Sequence, residues 1–287
     1  MPTTYTHYKL GCAIQKRVSG YEKEIIDKYP ELFFIGLHGP DILFYYKPLM
    51  KHPVNRLGHK LHEESGAEFF EMASGVLQAR KENKKDYEKH LAYIYGFICH
   101  FALDVTCHGY IDEKIKESGI SHGEIEAELD RELLVRDGKD PIRQVLTGHI
   151  HATMKNAVVI KDFCRGVTAE QVKKSLDGML FCHRVLRAPS RIKRLALALG
   201  MKVAGVYHSI YGMIINYQKN PECADSTAKL LALFKEAIPL AQRLIEEYRP
   251  YLEGRKPLDD IYRRNFSSRM VRNTGMTGLH GGPGTEE

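Results

Sequence analysis

Three polar residues interrupt an otherwise apolar stretch: His100, Asp104 and His108, each four residues after the last. In a helix such residues lie one turn apart on a single face, so they form a ladder. Leu91, Tyr93, Ile94, Tyr95, Phe97, Ile98, Phe101 and Leu103 around them read as core. A buried carboxylate flanked by two imidazoles costs several kcal/mol in desolvation unless something compensates it. A divalent metal does so economically, because imidazole nitrogen and carboxylate oxygen are both ordinary zinc ligands. The blander reading is one hydrogen-bonded His–Asp pair in the core, with His108 at the surface.

A second chelating pair follows. Ser121 reads as a helix N-cap and Glu124 as the residue closing a capping box. His122 and Glu126 then share one face of that helix, unless Glu126 is simply solvated within the acidic run Glu126, Glu128, Asp130. Upstream, Gly39-Pro40-Asp41 holds a carboxylate in a tight loop, either as a turn residue or as a metal ligand or general base. His7 lies near the start of the chain, and His59 and His62 sit three apart in a helical stretch. His149 and His151 face different ways, His183 and His208 are isolated, and His38, His52 and His90 have no obvious partner. The six cysteines (12, 99, 107, 164, 182 and 223) lack ligand spacing.

The elements that must position these residues read as helices almost throughout. Apolar residues recur at spacings of three and four over 13–28, 57–80, 87–108, 122–136, 141–156, 169–187, 191–217 and 226–248, with no convincing run of strands. Residues 29–56 form the main irregular region, where Pro30, Gly36, Gly39, Pro40, Pro48 and Pro53 break any helix. The reading is a single all-α domain over residues 1–265 and a disordered tail over 266–287 that carries His280.

The 287 residues, 43% hydrophobic and 27% charged, suffice to bury a full core. A net charge of +6 favours anionic substrates or an anionic membrane face and is too weak to argue for duplex nucleic acid. The start MPTTYTHYKL has neither a charged n-region nor an apolar h-region, and together with scattered thiols it suggests the cytoplasm. Residues 195–215 are apolar and about long enough to span a bilayer. With Lys202, His208, Gly200 and Gly205 inside, they read as a core helix. The preceding Arg184, Arg187, Arg191, Lys193 and Arg194 leave peripheral membrane contact as the alternative.

The whole series resembles the zinc-dependent phospholipase C family, whose all-helical fold is shared with secreted zinc nucleases that cut single strands. That family gathers three zinc ions on an N-terminal His, a loop Asp, a helical His, an HxxxD…H segment and an HxxxE segment. The same order stands here within residues 1–126: His7, Asp41, His59 or His62, His100-xxx-Asp104 with His108, and His122-xxx-Glu126. The resemblance implies a multi-helix bundle with its metal site in a central cleft. Asp41, His62 (preferred to His59), His100 and Asp104 would hold one Zn²⁺, and His108, His122 and Glu126 a second. Asp104 would bridge to a third, completed by His7 and the chain's N-terminus. The secreted enzymes complete that third site with an N-terminal Trp. This chain has no Trp, and its Asp104–His108 gap is shorter than theirs, so two ions is the alternative to three.

The implied activity is hydrolysis of a phospholipid or other phosphodiester, with Asp41 orienting or deprotonating the attacking water. A nuclease or nucleotide phosphatase is the second reading, with bases stacked on Phe44, Tyr45, Tyr46 or Tyr110. The third is a non-catalytic helical protein whose metal-binding residues sit in closed sites.

Overall fold

The structure, a computed structural model, describes residues 4–271. Among these residues every regular element is helical, and no helix is long and apolar enough to cross a membrane. The helices are α1 (Thr4–Arg17), α2 (Gly20–Lys28), α3 (Pro30–Gly36), α4 (Pro53–Glu63), α5 (Gly66–Gln78) and α6 (Lys84–Ser118). They continue with α7 (His122–Arg136), α8 (Met154–Lys161), α9 (Ala169–Leu186), α10 (Arg191–Val203), α11 (Tyr207–Ile210) and α12 (Ala224–Leu252). A 3₁₀ turn, Gly39–Tyr45, joins α3 to the segment before α4.

Helix α6 is the axis of the fold. Its middle is apolar on every side, and every residue from His90 to Val105 is buried. A helix with that pattern must be surrounded, and α3 and α12 pack along it while α1, α5 and α7 close the remaining sides. The backbones of α3 and α6 touch where Gly36 meets Gly96. A Cβ at Gly96 would overlap the Phe33 carbonyl, and one at Gly36 would overlap the Tyr93 carbonyl. This contact fixes where the chain leaves α3, and the next five residues lead to Asp41.

Several sequence expectations need correction. Pro30 and Pro53 open α3 and α4 instead of breaking them, because a helix's first position needs no N–H. The stretch 141–156 is mostly turns, with Asp140 accepting from the backbone of Ile142 and Arg143, and helix resumes only after the Thr153 cap. The supposed tail begins inside the fold: Phe266 is fully buried against His62, His100, Phe97 and Phe101. His280 lies outside the described residues.

Gly96→Ala should destabilise the zinc-free protein by about 2–3 kcal/mol through overpacking of that helix crossing. Gly75→Ala, in an exposed part of α5 where a Cβ meets nothing within 4 Å, should instead stabilise by about 0.5–1 kcal/mol. Urea unfolding of both variants checks this, and equal effects would contradict the close crossing.

Candidate metal centre

The first described turn of helix α1 is held by a distant carboxylate. Asp130 on α7 accepts from the backbone N–H of Tyr5 (3.1 Å) and Thr6 (2.8 Å) and from the Thr6 hydroxyl (2.6 Å). A carboxylate at a helix N-terminus satisfies orphan donors and meets the positive end of the dipole. His7 is thereby seated in the first turn, its ring stacked on His100 with centroids 4.4 Å apart. Burial pushes the Asp130 carboxyl up to about 7.

The 3₁₀ turn delivers Asp41. Gly39 precedes it at φ +39°, and a Cβ there would collide with the His100 imidazole, so only glycine lets the loop close over that ring. The amide of Asn55 on α4 donates to the carbonyls of Leu43 (3.0 Å), Phe44 (3.1 Å) and Tyr46 (2.7 Å), tying the loop to the helix that carries His62.

Two backbone carbonyls set the ring orientations. His62 Nδ1 lies 2.7 Å from the carbonyl of Gly58, and His100 Nδ1 lies 3.1 Å from that of Leu37. A carbonyl can only accept, so each Nδ1 carries a proton and each Nε2 is the ring atom turned inward towards the carboxylates. The Nε2 atoms meet at Asp104: His100 lies 3.2 Å and His62 4.0 Å from Oδ2, and His7 3.4 Å and His108 3.7 Å from Oδ1. His62 Nε2 is also 2.9 Å from Asp41 Oδ1. On the other side, Glu126 Oε1 lies 3.0 Å from His122 Nε2 and 3.4 Å from His108 Nε2.

Three groups of potential ligand atoms result, each within 4.8 Å of one another: His7, Asp41, His100; His62, His100, Asp104; and His108, His122, Glu126. Within them His7 Nδ1, Asp41 Oδ1, His100 Nε2 and Glu126 Oε2 are buried without a hydrogen-bond partner among the described residues. A native core rarely leaves one such atom unsatisfied. Four together, all of zinc-ligand type, fit divalent cations held among them.

The electrostatics agree. Burial alone would raise Asp104, but His100 and His108 hold it well below the usual carboxylate range, and Glu126 is likewise held down by His122 and His108. Burial opposes a charge on His108, yet Asp104 and Glu126 outweigh it and raise that imidazole to about 10. Without a cation, protons must stand in for positive charge.

The geometry therefore gathers eight of the sequence candidates: His7, Asp41, His62, His100, Asp104, His108, His122 and Glu126. His59 does not join them; it is exposed and rests on the Phe44 ring at 4.5 Å. Glu126 is buried, not solvated. Ser121 caps α7 as expected, but Glu124 closes no box and accepts from Asn216 (3.3 Å) and Asn220 (2.9 Å) instead. Two features escaped the sequence reading. One is Asp130; the other is His38, buried with its Nε2 2.7 Å from that of His149 and its ring 6.3 Å from His7. Neither carries a local spacing signal. His90 is an ordinary core histidine, paired with Asp162 at 3.0 Å. Residues 1–3, and with them the N-terminal amine expected at a third site, lie outside the described residues.

An all-helical fold brings His, Asp and Glu side chains from five elements into three groups, each of which could hold a metal ion. The sequence profile described as "Zinc dependent phospholipase C" matches residues 6–178, more than half of the chain, and the chain belongs to that family. No curated protein and no solved structure matches it. The family is zinc-dependent, and the ligand types present suit zinc.

Two outcomes follow. In the zinc-free protein His108 carries a proton at neutral pH, and an imidazole must lose it to bind metal. Zinc binding at neutral pH should release a proton and tighten as pH rises. Calorimetry in buffers of differing ionisation enthalpy tests this, and a buffer-independent enthalpy would remove His108 from the ligand set. Asp130→Ala should cost about 2–3 kcal/mol in urea unfolding of the zinc-free protein, since the Tyr5 and Thr6 amides lose their acceptor. A cost below about 0.5 kcal/mol would mean the first turn of α1 does not depend on it.

Proposed function

We propose that this chain is a zinc-dependent phosphodiester hydrolase of phospholipase C type, holding two or three ions on the three ligand groups. The convergence of imidazoles and carboxylates on Asp104, with four buried ligand atoms left unpaired, carries the reading. When bound, zinc neutralises charge growing on the phosphate oxygens and lowers the pKa of water from about 16 towards about 7.

Asp41 is our candidate general base. Its Oδ1 accepts no hydrogen bond, lies beside His62, and is held by the Asn55-pinned loop. It takes a proton from the attacking water as a new P–O bond forms opposite the one that breaks. The proton leaves with the departing alkoxide, giving an alcohol and a phosphomonoester. Access is from the side where His122, His62 and His108 are 39%, 18% and 15% exposed; His7, His100, Asp104 and Glu126 are closed off.

The surroundings favour a lipid among phosphodiesters. Phe44, whose ring is 5.3 Å from that of His62, lines a groove of about 960 Å³ walled by Leu49, Met50, Leu180, Phe181 and Val206. Such apolar walls suit an acyl chain. Of the aromatics considered for base stacking, Tyr46 is buried against His52, Tyr45 hydrogen-bonds His183 and Phe44 packs on two histidines, while Tyr110 is partly buried against the core.

The decisive experiment is elemental analysis of protein purified without chelators, paired with hydrolysis of a soluble chromogenic phosphodiester. Two or three zinc ions per chain are expected, with metal lost in Asp104→Asn. Asp41→Asn should retain the ion on His108, His122 and Glu126 while kcat falls by about 10²–10⁴-fold. Chelator-insensitive hydrolysis, or a zinc content of one or none that Asp104→Asn leaves unchanged, would sink the reading.

A further inference from the structure

Helix α10 is turned inside out. A surface helix ordinarily buries its apolar stripe and offers its cations to water. Here Ile192, Leu195, Leu199 and Val203, spaced three or four apart, form one outward stripe and are 82%, 72%, 62% and 83% exposed. The opposite face turns cations inward. Lys193 Nζ donates to the carbonyls of Arg184 (3.0 Å) and Arg187 (2.7 Å). The Arg194 guanidinium donates to the Ile215 carbonyl (2.7 Å) and lies 3.9 Å over the Tyr217 ring. Met201 is the helix's one buried residue, and it belongs to a small cluster with Ala188 and Ile214 that is separate from the main core. These bonds fix which side faces out, so the sequence expectation of a core helix over 195–215 is corrected.

What covers the stripe is indicated by charge. From residue 178 to residue 221 the chain has no Asp or Glu, while Arg184, Arg191 and Lys202 are exposed beside the stripe. Apolar side chains ringed by cations, with no acid among them, are complementary to an anionic bilayer surface. A second copy would bring like charge against like. Within residues 272–287 only Met276 and Leu279 are large apolar side chains, against four in the stripe. The inward face of α10 adjoins the apolar groove: Arg194 lines it, as do Ala188 and Val206, three residues beyond either end of α10, and the exposed Leu49, Met50 and Phe181.

We propose that α10 is a membrane-docking helix that lies in the plane of an anionic lipid surface. Ile192, Leu195, Leu199 and Val203 enter the boundary between headgroups and acyl chains, and Arg184, Arg191 and Lys202 meet lipid phosphates. Docking does not rest on the hydrolase reading and is measured without turnover.

The test is flotation of the full-length protein with vesicles of phosphatidylcholine alone or mixed with phosphatidylglycerol. The protein should float with the mixed vesicles and at least about tenfold less with phosphatidylcholine alone, with binding weakened by salt. The double variant Leu195→Asp, Leu199→Asp should lose about tenfold or more of that binding with unchanged circular dichroism. So should Arg191→Glu with Lys202→Glu, which keeps the apolar stripe intact and covers the case where the first variant misfolds. Val158→Asp, on the exposed side of α8, should bind normally. Absence of flotation with either vesicle, or flotation unmoved by both double variants, overturns the proposal. A concentration-dependent dimer in sedimentation velocity, abolished by Leu199→Asp and unaccompanied by vesicle binding, would likewise overturn it in favour of a second copy.

Discussion

The carboxylate of Asp104 sets the conditions that the rest of the molecule meets. It is buried on α6, and its two oxygens face four imidazoles from three helices. An isolated carboxylate in that position would be expensive, and imidazoles alone compensate it only by carrying protons. Divalent cations change the balance, since the same atoms then act as ligands and their desolvation is offset by coordination. The candidate ligand atoms come from α1, the 3₁₀ turn, α4, α6 and α7, so an ion held among them would tie all five elements together.

Assembly is enforced by contacts outside the ligand set. The Gly36–Gly96 approach fixes the end of α3, from which the Leu37 carbonyl orients His100 and the loop to Asp41 departs. Asn55 ties that loop to α4, and the Gly58 carbonyl one turn before His62 aims its ring. Asp130 holds the start of α1 and hence His7. Each device is a backbone group or a buried hydrogen bond with a single geometry, so the ligand atoms are placed before any ion arrives.

How much of this was legible in the sequence follows from range. The ladder on α6 and the pair on α7 are local, four-residue spacings, and helix geometry alone puts them on one face. Asp41 and His7 carry no such signal: the tight loop left Asp41 open between turn residue and ligand or base, and the family resemblance is what implied a ligand role for both. His62 and His59 differ by three positions, about 60° around the helix. Only the packing of α4 against the 3₁₀ turn decides that His62 points to Asp41 and His59 to solvent. Asp130 with Thr6 and His38 with His149 pair across 124 and 111 residues, beyond any pattern of spacing. For α10, periodicity identifies the stripe but not its direction, which depends on carbonyls at Arg184, Arg187 and Ile215.

The acidic run on α7 joins the two halves of the molecule. Glu126 and Asp130, one turn apart, face the histidines and the start of α1. Glu124 and Glu128, also one turn apart, face the other way and receive Asn216 and Asn220 from the segment that follows α10 and α11. Gly212 of that segment fits against the Ser121 cap, where a Cβ would collide with the hydroxyl, and Met213 sits over Gly123 beside His122. The segment bearing α10 is thus fastened to the helix end that presents His122, the most exposed residue of the metal cluster. The helix proposed to dock is therefore tied, through the N-terminus of α7, to the most exposed residue of the candidate metal centre.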